Sequence, residues 1–314
     1  MFKIEASDPL GGVLSYQWYK GTPPDTSTPV GINDPNLTIA VNVAGDFGNY
    51  YCAVSNGEAT VDSEVAELFE KATMGYWPLD GNANDLSGNG LHGTLVNSPD
   101  TITGKVATAL DFHDPNEYAT LPAFDRPDFF TISAWVKTNA GGLRHIYTWG
   151  NDTGEELTAA LFRINDGVLE YGEWDGGTYA NLTAGSGLND GQWHHVAVTF
   201  NSTAVELFID GLSANSGTVD TLFSVASGVS LGNLAETDGF INSIQGALDD
   251  VKLINYPMTA KEIADIYVAV EGSVCLGNPQ YDYNQNCIVD MADFAMFAAQ
   301  WLSCNIYPDC VPFE

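Results

Sequence analysis

The stretch GQWHHVAVTFNSTAVELFIDG, residues 191–211, has the clearest structural pattern in the chain. Apolar side chains occupy every second position at 196, 198 and 200, and again at 205, 207 and 209. Alternation of this kind places apolar side chains on one face of a strand. The polar run 201–204 separates the two segments, as turn residues do between paired strands. The stretch therefore predicts an antiparallel hairpin with one buried face.

The same residues resemble a known family. The run QWHHVAVTF followed by LFIDG is similar to the middle of laminin-G-like, concanavalin A-like jelly-roll domains. Such folds host both enzymes and pure binding modules, so the resemblance implies a fold and leaves the function open. Adjacent strand residues point to opposite faces, so His194 and His195 cannot serve one site. We interpret both histidines as framework residues.

Composition narrows the classes of partner. The 314 residues include 10 Lys+Arg against 41 Asp+Glu, which gives a net charge of -31. Nucleic acids and anionic membranes need a basic surface, so neither is an expected partner. No apolar run approaches the roughly 20 residues of a membrane span. Strong acidity indicates either a solvated surface suited to an extracellular setting or carboxylates that bind divalent cations.

The first residues do not show the pattern of a signal peptide. Residues 1–6, MFKIEA, already alternate like a strand and lack a charged leader followed by an apolar core. We expect the chain to begin inside a domain of an exported bacterial protein, with an extracellular or cell-surface location.

Residues 1–71 are predicted to form an immunoglobulin-like domain without its first strand. The strand LSYQWYK contains Trp18, and the run DFGNYYC places Tyr50 two residues before Cys52. These motifs resemble the strand-C tryptophan and the tyrosine corner of immunoglobulin-like domains. The strand from Phe2 has no cysteine that could pair with Cys52. Cys52 is therefore expected to be a buried free thiol near Trp18.

Residues 75–270 are predicted to form the jelly roll. Many short alternating segments follow one another at regular spacing, and Asn165-Asp-Gly167 is a strong hairpin signal. Thr259 and Glu262 form a capping box that predicts a short helix through about Tyr267. The pattern predicts a mainly β protein whose central domain is a two-sheet sandwich. The closing run GALDDVKLINYPMTAKEI also resembles the end of the family's domain.

A first calcium site follows from that resemblance. The loop after Asp80 is dense in Asp, Asn and Gly, and jelly rolls of this family bring their first and last strands together. The loop would then meet Asp249, where like charges require a proton or a cation. Oxygen-rich sites suit calcium, and the predicted ligands are Asp80, Asp249, Asp85 and Asn89. The alternative is a turn-rich loop whose Asx side chains cap their own backbone.

Catalysis by this domain is a weaker hypothesis. Glucanases of this class have paired carboxylates on alternate residues of one strand, and the nearest candidates here are Glu170, Glu173 and Asp175. Glycoside hydrolysis needs two carboxyl groups about 5 to 10 Å apart. The longer acidic motif of the glucanases is not matched, so we predict a non-catalytic domain.

A sugar-binding face would need exposed aromatic rings for stacking. Candidates lie in or beside the middle strands: Tyr147, Trp149, Tyr171, Trp174 and Tyr179. The predicted ligand-binding set is Trp149, Tyr171, Trp174 and Tyr179. The alternative for each is a core or rim position.

The tail, residues 272–314, differs in composition from the rest. It contains four cysteines, Cys275, Cys287, Cys304 and Cys310. An even number in a short segment predicts two disulfides with three possible pairings, and hence an oxidising compartment.

The same tail contains an EF-hand-type spacing. Positions 1, 3, 5, 7, 9 and 12 of the loop are Asp282, Asn284, Asn286, Ile288, Asp290 and Asp293. An apolar pattern at helical spacing follows. The segment resembles a dockerin-type calcium repeat, with Cys287 where glycine is usual and Asp293 in place of glutamate. Only one such loop is present, so either docking to a cohesin-like partner or a calcium-loaded terminal cap fits.

The leading hypothesis is a lectin-like, non-catalytic protein that binds a carbohydrate or a surface ligand and contains structural calcium. The rival is a structural cell-surface protein that assembles with copies of itself. A glycoside hydrolase is third.

Overall fold

The computed structural model describes residues 1–40, 46–152, 157–174, 177–219, 228–234, 243–274, 281, 283 and 289–301. The chain divides into two compact units, Met1–Lys71 and Ala72–Glu314. No helix among the described residues is long and apolar enough to cross a membrane.

Unit 1 consists of short antiparallel strands. A five-stranded sheet has the order β3-β2-β5-β6 with β7 also paired to β5, and β1 pairs β4 separately. The strands are β1 Phe2–Lys3, β2 Ser15–Lys20, β3 Pro29–Val30, β4 Asn36–Leu37, β5 Gly48–Ser55, β6 Thr60–Asp62 and β7 Ala66–Leu68.

The core of unit 1 forms around Trp18, Leu37, Tyr50 and Cys52. Trp18 and Cys52 are opposite each other on β2 and β5. Cys52 is buried and free, which confirms the sequence prediction, and burial raises the pKa of its thiol to about 11. The Tyr50 hydroxyl donates a hydrogen bond to the carbonyl of Asp46 at 2.6 Å.

Unit 2 is a sandwich of two antiparallel sheets. One has the order β10-β11-β22-β13-β18-β19-β20 with β8 also paired to β22, and the other has the order β17-β16-β15-β14-β21-β12-β9. The mainly β, jelly-roll architecture predicted from the sequence is confirmed.

The elements of unit 2 are β8 Thr73–Trp77, β9 Thr94–Val96, β10 Asp100–Thr103, β11 Thr108–Phe112, β12 Tyr118–Leu121, β13 Phe129–Thr138, β14 Leu143–Asp152, β15 Leu157–Asn165, β16 Val168–Trp174, β17 Tyr179–Ala184, β18 His194–Asn201, β19 Ala204–Ile209, β20 Leu212–Thr218, β21 Val229–Leu231, β22 Gly246–Ile254, α1 Ala260–Glu271 and α2 Met291–Trp301.

Large aromatic side chains fill the space between the two sheets. The fully buried ones in this core include Trp77, Phe130, Tyr147, Trp149, Phe162, Tyr171 and Phe200. A buried side chain of this size contributes about 1.5 to 3 kcal/mol relative to exposure, so this core dominates the stability of the unit.

The hairpin predicted at residues 191–211 is present as β18 and β19, joined by Ser202 and Thr203. The prediction of a single buried face is wrong, because α1 covers the other face of the strands. Ala197 and Phe208 point away from the sandwich core and pack against Ile263 of α1. The capping box of Thr259 and Glu262 starts α1 as predicted, and the helix continues four residues further than expected.

Candidate functional site

The outer face of the seven-stranded sheet brings two of the four predicted ligand-binding aromatics together. Trp174 ends β16 and Tyr179 begins β17, and the two residues are opposite each other in the sheet. Their rings lie 5.6 Å apart between centroids, tilted by 37°. Both side chains are half-buried, so each ring keeps part of its surface open to a ligand.

A glycine explains how Tyr179 reaches across the sheet. Gly172 lies on the same face of β16 as Trp174, and a Cβ built at Gly172 would overlap the Tyr179 hydroxyl. The missing side chain lets the tyrosine ring lie flat over the strand, because no other residue leaves that space empty.

A buried charged network fixes the Tyr179 hydroxyl. Arg163 donates through Nη2 to Glu170 Oε1 at 3.0 Å and to the Tyr179 hydroxyl at 2.8 Å. Tyr179 in turn donates a short hydrogen bond to Glu170, and Asn181 Nδ2 donates to the same carboxylate at 3.1 Å. This network holds the ring of Tyr179 in one orientation beside Trp174.

The network also fixes the charge of Glu170. Burial alone would raise its pKa, but the hydrogen bond from Tyr179 and the positive charge of Arg163 outweigh burial and lower the pKa. Burial raises the pKa of Tyr179, whose hydroxyl therefore remains a donor. The face thus presents a fixed ion pair under two aromatic rings.

His145 lies on β14 opposite Arg163 and is fully buried. Neither of its ring nitrogens has a hydrogen-bond partner. Burial, with the positive charges of Arg163 and Arg144 beside it, lowers its pKa to about 3. The imidazole is neutral at any ordinary pH.

Trp149 and Tyr171 do not lie on the predicted ligand-binding face. Both are buried in the core between the sheets, where Trp149 packs against Phe130 at 5.1 Å between ring centroids. Tyr147 is buried with them. A ring enclosed on both sides cannot stack on a sugar, so these aromatics have a packing role instead of the predicted ligand-binding one.

The candidate catalytic carboxylates lie on opposite faces of β16. Glu170 faces outward, while Glu173 is opposite Ala160 and points into the core. Glu173 accepts a hydrogen bond from Tyr171 at 2.6 Å and pairs with Arg126 at 3.5 Å. Separated by the sheet and tied to separate arginines, the two glutamates do not form an acid and base pair. Asp175 lies outside the described residues.

The predicted meeting of the first and last strands is visible around Asp249. Its Oδ2 accepts hydrogen bonds from the backbone amides of Lys105 and Val106 at 2.7 and 2.8 Å. Its Oδ1 is buried without a hydrogen-bond partner. Burial, reinforced by the negative charges of Asp250 and Asp80, raises the pKa of Asp249 to about 6.

Asp80 has one oxygen in use and one open. Its Oδ1 accepts from the amide and the hydroxyl of Thr108 at 2.9 and 2.8 Å. Neighbouring Asp250 accepts from the Tyr76 hydroxyl at 2.6 Å and lies near Lys252. Within the described ranges, no three His, Cys, Asp or Glu side chains converge as a metal cage. A cation here would need backbone carbonyls or water as further ligands.

Asp85 caps the backbone of its loop. Its two carboxylate oxygens accept from Tyr76 N, Leu91 N, Ser87 N and Ser87 Oγ, all within 3.0 Å. These contacts are those of the alternative, a turn-rich loop whose Asx side chains cap their own backbone. Asn89 donates through Nδ2 to the carbonyls of Thr73 and Met74, which ties the loop to β8.

Most of the predicted tail site falls outside the described residues: Asp282, Asn284, Asn286, Ile288, Cys275, Cys287, Cys304 and Cys310. The two described positions cap α2. Asp290 Oδ1 accepts from Ala292 N at 2.7 Å, and Asp293 Oδ2 accepts from Asp290 N at 2.9 Å.

The hairpin histidines have separate environments. His194 lies between Asp210 and Asp190, at 2.9 and 3.4 Å, and its hydrogen bond to the Asp210 carboxylate raises its pKa. His195 is buried beneath α1, where it contacts Trp135, and burial lowers its pKa to about 4. They serve no common site, in agreement with their opposite faces.

Sequence reasoning missed Arg163 and Asn181. The signal was present, because the two-residue turn at Asp166-Gly167 fixes the register and places Arg163 opposite Glu170. Asn181 could not be found in the same way, since the connection from β16 to β17 is longer and does not fix the register of β17.

The matching family model is described as the Concanavalin A-like lectin/glucanases superfamily and covers residues 113–264. That segment is a laminin-G-like, concanavalin A-like jelly-roll domain.

Three solved structures share the fold. Domain 4 of AbnA, a GH43 extracellular arabinanase from Geobacillus stearothermophilus, in complex with arabinotriose, matches with TM-score 0.51 and 19% identity over 63% of this chain and 100% of that one. The binding domain of Paraclostridial Mosquitocidal Protein 1 matches with TM-score 0.52 and 15% identity over 66% of this chain and 54% of that one.

The binding domain of Botulinum neurotoxin DC in complex with rat synaptotagmin II matches with TM-score 0.50 and 11% identity over 63% of this chain and 52% of that one. This chain thus spans about half of each toxin binding domain. At these identities the likeness shows the fold alone.

Proposed function

We propose that the protein is an exported, non-catalytic binding protein whose jelly roll recognises a carbohydrate or another cell-surface ligand. The observation that carries the proposal is the half-buried Trp174–Tyr179 pair, held above a buried ion pair on the outer face of a sheet. Aromatic faces stack on sugar rings, and fixed polar groups orient them. The arabinanase domain was solved with arabinotriose, which supports a sugar as ligand.

Each side chain at this face has its own role in binding. Trp174 and Tyr179 stack against the ligand, and Asn181, which is exposed, hydrogen-bonds its hydroxyls. Arg163 and Glu170 hold Tyr179 and Asn181 in place without contacting the ligand. Pre-organisation of this kind lowers the entropic cost of binding, so it increases affinity without adding contacts.

Calcium is the proposed structural ion of the domain. The unpartnered, buried Asp249 Oδ1 and the neighbouring charge of Asp80 support this assignment, because a buried carboxylate favours a cation beside it. Bound calcium would supply positive charge and join the loop after Asp80 to the last strand. The EF-hand-type loop at residues 282–293 is a second proposed calcium site.

The remaining modules extend this proposal. Unit 1 would be an immunoglobulin-like spacer, an idea supported by the Tyr50 hydrogen bond to Asp46 and the packing of Cys52 against Trp18. Residues 75–270 would form the jelly roll and residues 272–314 a dockerin-like tail with two disulfides. An extracellular or cell-surface location is part of the same proposal.

A second candidate function is structural assembly. Apolar side chains of the tail are exposed: Tyr281, Val289, Met291, Phe294, Met296 and Phe297. Exposed apolar patches mark protein contacts. The occupant would be a cohesin-like protein or another copy of the chain. Glycoside hydrolysis is not proposed, since Glu170 and Glu173 are separated by their sheet.

A glycan array followed by calorimetry tests the binding proposal. The wild-type protein is expected to bind at least one glycan, and Trp174→Ala is expected to weaken that binding about tenfold, by the loss of one stacking anchor. Trp193→Ala, which removes another half-buried tryptophan outside this face, is the matched control.

Two outcomes would overturn the proposal. Absence of binding to every glycan, with ordered assemblies in electron micrographs, would favour the structural candidate. Polysaccharide turnover by the wild-type protein would establish an enzyme. For the ion, calcium is expected to raise the melting temperature and EDTA to lower it, because a ligand bound only by the folded state stabilises that state. No shift would contradict both calcium sites.

A further inference from the structure

A second polar groove lies on the other sheet of the sandwich. Its volume is about 530 Å³, and it is lined by the ends of β11, β13 and β22 and by the connections beside them. Asp111 and Lys137 are both in register with Ala247, which lies between them on the central strand. The three residues therefore form one row across three neighbouring strands.

The geometry of this row leaves room for a small ring. Neighbouring strands lie about 4.8 Å apart, so the backbones of Asp111 and Lys137 are separated by roughly 10 Å. Side chains of residues directly opposite each other in a sheet point to the same face. The small Ala247 between the two longer side chains makes a flat floor, with a carboxylate on one side and an ammonium group on the other.

The polar side chains around this floor have no partners of their own. In the part of the chain that the structure describes, no hydrogen bond or ion pair involves the Asp111 carboxylate, the Lys137 ammonium group or the side-chain amides of Asn139 and Gln245. His113, at the rim, lies 3.4 Å from Glu117. Four unsatisfied polar groups that line one groove are available to a ligand.

Lys137 differs from most of the described basic residues in having no acidic partner. The basic residues with an acidic partner within 4 Å include Lys3, Lys105, Lys252, Lys261, Arg126 and Arg163. Lys137 has none, although acidic residues outnumber basic ones by 41 to 10. Lys137 is half-buried in the groove, so its charge is directed at whatever occupies that space.

We propose that this groove is a second binding site, and that it takes a sugar residue with a carboxylate, a hexuronic acid, within a short oligosaccharide. Lys137 pairs with the ligand carboxylate, and Asp111 accepts hydrogen bonds from ring hydroxyls on the opposite side. Asn139 and Gln245 each donate and accept, as sugar hydroxyls do.

The net charge of the protein restricts which anionic ligands can bind in the groove. With a net charge of -31, the protein repels anions at long range, and one lysine offsets only one negative charge. A sulfated polyanion is therefore disfavoured, whereas a ligand with one carboxylate at Lys137 and hydroxyls elsewhere matches the groove.

Isothermal titration of the full chain with methyl galacturonoside, a single hexuronic acid residue with one carboxylate, tests the site. Wild-type protein is expected to bind the acid and to bind its methyl ester roughly 10- to 100-fold more weakly, the range for losing one charge-assisted hydrogen bond. Lys137→Met, which keeps the length of the side chain, is expected to weaken binding of the acid by a similar factor. Added salt screens the attraction between Lys137 and the ligand carboxylate, so it is expected to narrow the difference in affinity between the wild type and the variant.

Controls separate this site from the first one. Lys261→Met removes a lysine of α1 that is paired with Asp265 and is expected to leave binding of the acid unchanged. Loss of acid binding in Trp174→Ala, with binding retained in Lys137→Met, would assign the acid to the aromatic face and overturn this proposal, whereas the reverse pattern supports it. Asp111→Asn, a conservative change, provides a second variant in case Lys137→Met unfolds.

Equal binding of acid and methyl ester would overturn the proposal. So would uronate binding that survives both Lys137→Met and Asp111→Asn, or the absence of any heat of binding for the acid at millimolar concentration.

Discussion

Strand β16 holds two glutamates three residues apart, each paired with an arginine, in very different surroundings. Glu170 and Arg163 lie on the outer face with Tyr179 and Asn181. Glu173 and Arg126 lie between the sheets, where the guanidinium stacks 4.6 Å from the Phe200 ring centroid. The same pair of chemical groups thus supports the proposed ligand face in one case and the core in the other. Position in the sandwich, and not residue type, decides between these roles.

The two ion pairs differ in what can replace a lost charged partner. A core ion pair has no water or ligand to replace a lost partner, so it is expected to matter mainly for folding. A face ion pair retains neighbours that can compensate, so it is expected to matter mainly for the geometry of the binding surface. Variants of the two pairs and of their neighbours can test this difference between the core and the outer face.

Glu173→Gln is expected to have the largest effect on stability. Removing the carboxylate leaves the Arg126 charge buried without its acidic partner, which costs about 3 to 5 kcal/mol for pairs of this kind. Urea denaturation measures the loss. A loss below about 1 kcal/mol, typical of exposed ion pairs, would contradict the core role of this pair.

Acid is expected to destabilise the outer-face network through His145. Its folded-state pKa of about 3 lies below the ordinary value of 6.5. Between these two pH values the unfolded chain binds a proton that the folded chain does not, so stability is full above pH 6.5 and falls as the pH decreases. At pH 4.5 the expected loss is about 2 to 3 kcal/mol.

The variant His145→Leu should flatten this part of the stability profile, since leucine does not titrate. Denaturation curves at pH 7.0 and 4.5 measure the difference. An unchanged profile in His145→Leu would show that other groups cause the acid sensitivity.

Glu170→Gln is expected to cost less stability than Glu173→Gln, about 1 to 3 kcal/mol, because Arg163 keeps its hydrogen bond to the Tyr179 hydroxyl. Its effect on glycan binding is expected to be clear, since Tyr179 and Asn181 lose their common acceptor. Comparing both variants in the same denaturation and binding assays tests the contrast directly. A larger stability loss for Glu170→Gln would reverse it.

Trp174→Ala is expected to have the smallest effect on stability, within about 1 kcal/mol, because its ring is only half-buried and lies on the outer face. Thermal unfolding checks this expectation alongside the binding assay. Trp149→Ala, in the core, is the contrasting variant and should cost about 3 to 5 kcal/mol. Similar losses for the two tryptophans would contradict their placement.

Elements whose signal lies in neighbouring residues could be predicted from the sequence alone. The hairpin at residues 191–211, the turn at Asp166-Gly167 and the capping box at Thr259 are each specified by neighbouring residues, and each is present. Alternating apolar positions, together with the resemblance to laminin-G-like domains, were sufficient to predict a jelly-roll sandwich. The buried free thiol of Cys52 also followed from the sequence, because the strand from Phe2 offers it no cysteine partner.

Which face of each strand is open to solvent depends on tertiary contacts. Alternation divides a strand into two faces but does not show that α1 covers the outer face of β18, or that Trp149 and Tyr171 point inward while Trp174 and Tyr179 point outward. Likewise Asp85 and Asp249 are both predicted ligands of one calcium site, yet one carboxylate is fully hydrogen-bonded and the other has an unpartnered oxygen. These differences arise from contacts between residues far apart in sequence, which no local pattern records.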